Sequence, residues 1–135
     1  MITKETDYAL RMLRALAEAE RITTAQLALG EQVPQQFAYK ILKKLEKGGI
    51  VRILRGIDGG CELAEPLSRI TLFRLIQAME AEVPVSSCMK PGYQCAWCKA
   101  HGDVVCRAHI HLSSIQQELD QLLQAKNLQE ILFEA

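Results

Sequence analysis

A glycine-rich segment between two short apolar runs is the feature that most restricts how this chain can fold. Residues 50–54 are typical of a β-strand and residues 61–63 of its return strand, and between them lies Arg55-Gly-Ile-Asp-Gly-Gly60. Glycine adopts the positive φ angles that a tight hairpin requires. The sequence therefore predicts a two-stranded hairpin, with Cys61 as a small packed residue of the return strand.

Three helices are predicted before this hairpin. Apolar residues recur at helical spacing from Thr3 to Ala19, without an intervening Gly or Pro. Thr23 is a suitable N-cap for a short helix over residues 25–29, and Gly30 ends it. Pro34 stands in the first turn of a third helix, which ends at the glycines in positions 48 and 49.

The third helix divides into an apolar and a polar side. The apolar side is predicted to contain Phe37, Ile41, Leu42 and Leu45. The polar side contains Gln35, Gln36, Tyr39, Lys40, Lys43 and Lys44. Segment 34–57 holds six basic residues and one acidic residue, an excess that suits a phosphate backbone, although a solvated lysine face is the ordinary alternative.

Helices followed by a hairpin in this order predict a mainly α fold with a small β-hairpin wing, the winged helix-turn-helix. A helix with amide and ammonium donors on one side can enter the major groove of double-stranded DNA. We expect Gln35, Gln36 and Tyr39 to contact base edges, and Lys40, Lys43 and Lys44 to contact phosphates. Arg55, Gly56 and Gly59 at the hairpin tip are expected to approach the minor groove.

The second half of the chain carries two further helical patterns and a segment without any. Thr71 is predicted to cap a helix that runs to about Ala81, and a long amphipathic helix is predicted over 106–126, followed by a short one over 128–133. Segment 82–105 lacks periodicity and is predicted to be a loop. We therefore expect a DNA-binding domain over 1–81, a cysteine-rich loop over 82–105 and a C-terminal arm over 106–135.

Four of the five cysteines lie close together, at the spacing Cys88-x6-Cys95-x2-Cys98-x7-Cys106. Thiolates at this spacing suit an iron–sulfur cluster or a zinc ion, and His109 could complete the zinc set. The odd cysteine count and the lack of an apolar signal-peptide core disfavour a disulfide framework. No apolar run is long enough to cross a bilayer, so we expect a cytoplasmic protein without membrane contact.

Several short motifs, taken together, resemble one family. They are Thr6-Asp7-Tyr8-Ala9-Leu10-Arg11, Tyr39-Lys40-Ile41-Leu42, Gly49-Ile50-Val51, the hairpin segment 55–60 and Ile70-Thr71-Leu72. In this order they are similar to the bacterial Rrf-type repressor family that includes IscR, NsrR, RirA and CymR. The resemblance covers about residues 3–80 and implies a homodimeric transcription regulator that binds a palindromic operator.

The resemblance also implies an iron–sulfur cluster, [2Fe–2S] or [4Fe–4S], held by three loop cysteines and a further ligand. In this family the further ligand is an aspartate of the first helix, here Asp7 from the other subunit, or a histidine after the last cysteine, here His109. This loop is longer than usual and has a fourth cysteine, so ligation by all four cysteines is our first choice.

The long helix after the loop forms the dimer interface in that family. Its counterpart here would use Leu112, Ile115, Leu119, Leu122 and Leu123, although such an apolar stripe is more often part of the core of its own chain. A second copy is the commonest partner for a surface of this kind.

Three other hypotheses remain open for the cysteines. Zinc would make the loop a structural clamp, and a metal-free switch would use a reversible disulfide between Cys95 and Cys98. A small redox or electron-transfer protein is the hypothesis from a different class. The sequence lacks the βαβ pattern that such chemistry favours around Cys-x-x-Cys, and this hypothesis leaves the basic third helix unexplained.

Overall fold

The computed structural model describes residues 2–57, 59–80 and 84–135. Within these ranges the chain forms helices and one two-stranded antiparallel hairpin. The elements are α1 (Lys4–Ala19), α2 (Thr24–Gly30), α3 (Gln35–Lys47), β1 (Val51–Leu54), β2 (Gly60–Leu63), α4 (Leu72–Met79), α5 (Ala96–Ala100), α6 (Arg107–Ala125) and α7 (Leu128–Phe133). None of the described helices is long and apolar enough to span a membrane.

The side chains of Thr3, Thr23 and Thr71 cap α1, α2 and α4 and explain where these helices begin. The Thr23 side chain accepts a hydrogen bond from Gln26 N–H, and the Gln26 side chain accepts one from Thr23 N–H. This reciprocal pair satisfies two backbone donors that the helix itself cannot. Thr71 caps α4 in the simpler way. Both predicted starts are confirmed, whereas the predicted end near Ala81 lies outside the described residues.

The apolar core lies between α1, α2, α3 and α4, with the hairpin packed beside it. On α3 the fully buried side chains are those of Ala38, Ile41, Leu42 and Leu45. The prediction for Phe37 was wrong, because 38% of this residue remains exposed. One residue corresponds to 100° of helix rotation, so Ala38 takes the core position and Phe37 lies at its edge.

The hairpin pairs Val51 with Leu63 and Leu54 with Gly60. Gly56 adopts a φ of +103°, which supports the predicted need for glycine in the turn. Cys61 is completely buried, its thiol donates a hydrogen bond to the Ile22 carbonyl at 3.2 Å, and burial raises the pKa of the thiol to about 11. The predicted wing and the packed role of Cys61 are therefore confirmed.

The C-terminal segment returns to the core. Leu72 N–H donates to the Lys126 carbonyl at 2.9 Å, and Leu128 N–H donates to the Ile70 carbonyl at 2.8 Å. Leu128 is fully buried, and α7 packs beside the 3₁₀ turn Leu67–Arg69. The predicted short final helix is thus present, and it fastens the end of the chain to the winged-helix part.

The cysteine segment is not a loop throughout. Between residues 84 and 105 it contains a 3₁₀ turn at Ser87–Met89 and the five-residue helix α5. The prediction of a loop was wrong in this respect. Helical elements of three and five residues complete no more than about one and a half turns. This length is too short to produce a periodic apolar pattern.

Candidate nucleic-acid interface and cysteine site

The exposed side of α3 carries most of the residues that the sequence assigned to DNA. Gln35, Gln36, Tyr39, Lys40 and Lys43 are all exposed, as expected for base and phosphate contacts. Their side faces away from the buried residues of the helix, which is the geometry that a recognition helix needs.

Lys47 is a further candidate that the sequence reasoning left out of the DNA-binding set. It follows Gln36, Lys40 and Lys43 at spacings of four, three and four residues, so the four side chains form one row along the exposed side. Lys47 is exposed. The helical spacing alone would have identified it.

Lys40 and Lys44 are held by an acidic residue of α1. Lys40 Nζ lies 2.9 Å from Glu5 Oε1, and Lys44 Nζ lies 2.6 Å from Glu5 Oε2. The hydrogen bonds from Lys44 and then Lys40 lower the pKa of Glu5. Lys44 is also half-buried and donates to the Met79 carbonyl at 3.2 Å. The phosphate role predicted for Lys44 thus competes with internal partners.

The wing tip is open to solvent and adds an unexpected side chain. Arg55 and Gly56 are exposed as predicted, and Gly59 is half-buried, with its N–H donating to the Gly56 carbonyl at 3.0 Å. Ile57 is fully exposed at the tip. Its apolar side chain is a second residue that the sequence reasoning did not select.

A groove of about 320 Å³ joins α2, α3 and the wing. Its walls include Thr23, Tyr39, Gly56, Ile57 and Gly59. The fold therefore brings the predicted base-reading tyrosine of α3 and the predicted minor-groove glycines of the wing to one surface. Tyr39 and Gly59 are 20 positions apart in the sequence, and the hairpin after α3 brings them together.

All four loop cysteines line a single cavity of about 410 Å³ where the loop meets the start of α6. Tyr93, Val105, Ala108, His109, Ile110 and Leu112 complete the wall. Cys95 precedes α5 and Cys106 precedes α6, so helix starts position two of the four thiols. The Cys106 sulfur accepts the His109 N–H at 3.4 Å, and the Cys88 sulfur lies 3.2 Å from Ser86 Oγ.

Three of the four thiols, those of Cys95, Cys98 and Cys106, interact electrostatically or through hydrogen bonds. A backbone hydrogen bond from Cys98 and a second one from its thiol lower the pKa of Cys95. Desolvation, together with the neighbouring Cys95 and Cys106 thiols, raises the pKa of Cys98. Cys98 is therefore close to both Cys95 and Cys106, while Cys88 lines the cavity from the 3₁₀ turn Ser87–Met89.

The alternative ligands differ in position. His109 lines the cavity, whereas the Asp7 carboxylate lies 2.7 Å from Arg11 and does not contribute to the wall. Among the described residues, no group of three or more His, Cys, Asp or Glu side chains is arranged to hold a metal ion. A tetrahedral zinc site requires four donors about 2.0–2.3 Å from one ion. The four thiols and His109 that line the cavity are donors of the types that both a zinc ion and an iron–sulfur cluster use.

The loop is attached to α6, whose apolar stripe only partly faces the chain. Val85 N–H donates to Gln116 Oε1 at 2.7 Å, and Ser113 Oγ donates to Met89 Sδ at 3.4 Å. Of the predicted dimer seam, Leu123 is buried within the chain, while Leu112 and Leu119 are half-buried and Ile115 and Leu122 are exposed.

Comparison with known proteins places this architecture in a family. A family model described as "Rrf2: Iron-dependent Transcriptional regulator" matches residues 2–134. The chain is 36% identical over 93 residues to Protein aau3 of Rhizobium meliloti, a match that covers 67% of this chain and 60% of that protein. It is 32% identical over 94 residues to the HTH-type transcriptional regulator NsrR of Oceanobacillus iheyensis, covering 67% and 64%. The matches thus span less than two thirds of either relative.

Solved structures show the same fold. The chain resembles CymR of B. subtilis, titled the global cysteine regulator, with a TM-score of 0.70, 17% identity, and coverage of 100% of this chain and 98% of that one. It resembles IscR of T. potens with a TM-score of 0.65, 16% identity and coverage of 98% and 85%. The predicted winged-helix fold is therefore confirmed.

The relatives with a stated role bear on the choice between regulator and redox protein. Two of the matching proteins are named HTH-type transcriptional regulator NsrR and a third is named HTH-type transcriptional repressor NsrR, so none of the three is named as an enzyme. The resemblance drawn from the sequence motifs is confirmed over nearly the whole chain. The chain belongs to the Rrf2 family of transcriptional regulators.

Proposed function

We propose that this chain is a homodimeric DNA-binding repressor whose operator affinity depends on an iron–sulfur cluster held by Cys88, Cys95, Cys98 and Cys106. One observation carries the proposal, which is that all four thiols line the same cavity. An iron–sulfur cluster supplies a redox-active group whose potential depends on its ligands and on its exposure to solvent. His109 is the alternative ligand from within the chain, and Asp7 could take part only from a second copy.

The exposed side of α3 and the wing support the DNA-binding part. Gln36, Lys43 and Lys47 present polar and basic groups along one side of a helix that fits the major groove. Arg55 and Ile57 stand at the wing tip, where they can reach the adjacent minor groove. A two-fold dimer would place two such surfaces on DNA, which calls for a palindromic operator with half-sites about 34–36 Å apart or a multiple of that distance.

A chain of contacts connects the cysteine segment with the DNA-binding elements. Val85 and Met89 bond to residues of α6, and α6 packs against α4. At the end of α4, Glu80 accepts hydrogen bonds from Thr3 and from Thr6, the latter at 2.6 Å, on the first turn of α1. Burial raises the pKa of Glu80, but these hydrogen bonds outweigh it, so the pKa is lowered. The ionised carboxylate thus ties α4 to α1.

If the cluster were lost, the loop residues would shift against α6. The shift would reach α1 and α3 through the contacts described above. A coupling free energy of about 1–3 kcal/mol between two sites changes affinity about 5- to 150-fold. This range is sufficient for a switch.

The test is a comparison of operator binding before and after oxidation. An operator is first selected from random DNA with anaerobically purified protein, and its Kd is then measured for the same sample before and after exposure to air. We expect a change of at least fivefold for the wild type and for the control Cys61→Ala, whose thiol lies in the wing. We expect no such change for Cys106→Ser.

A Cys106→Ser protein that responds to air as the wild type does would contradict the role of the cavity. Constant wild-type affinity, with the same operator bound in both states, would contradict sensing but leave DNA binding intact. A zinc clamp predicts this constant affinity together with one zinc ion per chain.

A further inference from the structure

Glu5 of α1 pairs with two lysines of the proposed recognition helix α3. It lies on the first turn of α1, and each of its carboxylate oxygens contacts a different lysine of α3. The Lys40 distance is 2.9 Å and the Lys44 distance is 2.6 Å. One carboxylate therefore partly neutralises two of the four lysines of the proposed recognition helix.

The other two lysines of α3 lack such a partner. Among the residues that the structure describes, neither Lys43 nor Lys47 forms an ion pair, and both are exposed. They lie in the row that begins at Gln36. Glu5 thus divides the basic residues of α3 into a free pair and a restrained pair.

Lys44 is the more firmly held member of the restrained pair. Only 34% of its side chain is exposed, and its ammonium group bonds to the Met79 carbonyl as well as to Glu5. A phosphate that drew this ammonium group away would leave the Met79 carbonyl and Glu5 Oε2 without the donor they have here. Removing the partner of a partly buried acceptor costs free energy, so the internal partners compete effectively with DNA.

We propose that Glu5 is an intramolecular competitor for DNA phosphate, which withholds Lys40 and Lys44 from the backbone and limits the affinity for DNA of any sequence. The inference rests on the proposed binding of DNA by α3. A carboxylate and a phosphate both accept charge-assisted hydrogen bonds from ammonium groups, and the Glu5 carboxylate offsets the positive charge and fixes the position of the lysines that a phosphate would otherwise recruit. Phosphate contacts carry no sequence information, so this restraint lowers non-specific binding and leaves base reading to the residues in the groove.

The test is the salt dependence of DNA binding by Glu5→Gln. The logarithm of affinity falls with the logarithm of salt concentration by about 0.9 per phosphate contact. Two released lysines should make this slope steeper by about 0.9–1.8, and binding in low salt should become several-fold tighter for operator and random DNA alike. The matched control Glu18→Gln removes the same charge from an exposed position at the other end of α1 and should leave the slope unchanged.

The proposal is overturned if the salt-dependence slope of Glu5→Gln equals that of Glu18→Gln. It is also overturned if a folded Glu5→Gln protein binds DNA more weakly than the wild type. A second pair of variants decides the matter if Glu5→Gln does not fold, as judged by circular dichroism. Lys43→Gln should lower the slope by about 0.9, whereas Lys44→Gln should leave it unchanged. Equal losses in both variants would overturn the restraint on Lys44. Wild-type protein that binds no DNA would instead refute the proposed function itself.

Discussion

Replacing Leu122 with Asp should separate the proposed dimer into protomers. Leu122 is 68% exposed and Ile115, one heptad earlier on the same side of α6, is 54% exposed. Two exposed aliphatic side chains on one side of a long helix are typical of a surface that another helix covers.

The size of the effect follows from the exposed fractions. Burying a complete Leu side chain contributes about 1.5–3 kcal/mol, so covering the exposed part of Leu122 contributes about 1–2 kcal/mol. A two-fold interface contains the residue twice, so Leu122→Asp should remove about 2–4 kcal/mol. At about 1.4 kcal/mol for each tenfold change in affinity, the dimer Kd should rise about 30- to 700-fold.

Sedimentation equilibrium over a range of concentrations measures this Kd directly. The matched control is Leu29→Asp, which introduces the same charge at an exposed leucine on α2, away from the proposed seam. It should leave the Kd within about threefold of the wild type. A similarly small change for Leu122→Asp, or equal changes for both variants, would refute the assignment of this side of α6 to the dimer.

Three further predictions concern stability and reactivity. Leu128→Ala should lower the free energy of unfolding by about 2–5 kcal/mol in urea denaturation, because the side chain is fully buried where α7 meets the core; a loss below 1 kcal/mol would place α7 outside the core. Gly49→Ala should destabilise the protein by about 1 kcal/mol or more, because the φ of +73° at this position is strained for a residue with a Cβ and Arg74 Nη2 would lie 3.2 Å from the new Cβ. The control Gly30→Ala, whose Cβ meets open space, should be neutral or stabilising in the same assay. Cys61 should resist alkylation in the native protein up to pH 9, because a pKa of about 11 keeps its thiol protonated and burial excludes the reagent; mass-mapped labelling at Cys61 at the rate of the unfolded chain would contradict this.

Local signals predicted much of the fold. Thr23 and Thr71 begin helices because their side chains accept backbone N–H groups within three residues, so the information is contained in a few neighbouring positions. The hairpin was predicted in the same way, from glycines whose positive φ angles a tight turn requires. Phe37 shows the limit of this reasoning, since an error of one residue in helix phase exchanges a core position for a surface one.

The contacts of the candidate sites were less accessible from the sequence. Glu5 pairs with lysines 35 and 39 positions away, and no local pattern reports a contact of that range. The meeting of Cys88 with the other three thiols depends on short helical turns within the loop, which the absence of periodicity concealed. The identity of the donors was predictable from spacing, but their arrangement in one cavity required the fold.

Iron and acid-labile sulfide analysis of anaerobically purified protein, together with its visible spectrum, shows directly whether the four thiols hold an iron–sulfur cluster. We expect coloured wild-type protein with near-stoichiometric iron and sulfide and an equally coloured Cys61→Ala variant. We expect colour and iron to be lost in Cys98→Ser, whose thiol interacts with two other cysteines of the cavity. Colourless wild-type protein with one zinc ion per chain, or iron retained undiminished in Cys98→Ser, would contradict a cluster held by this cavity.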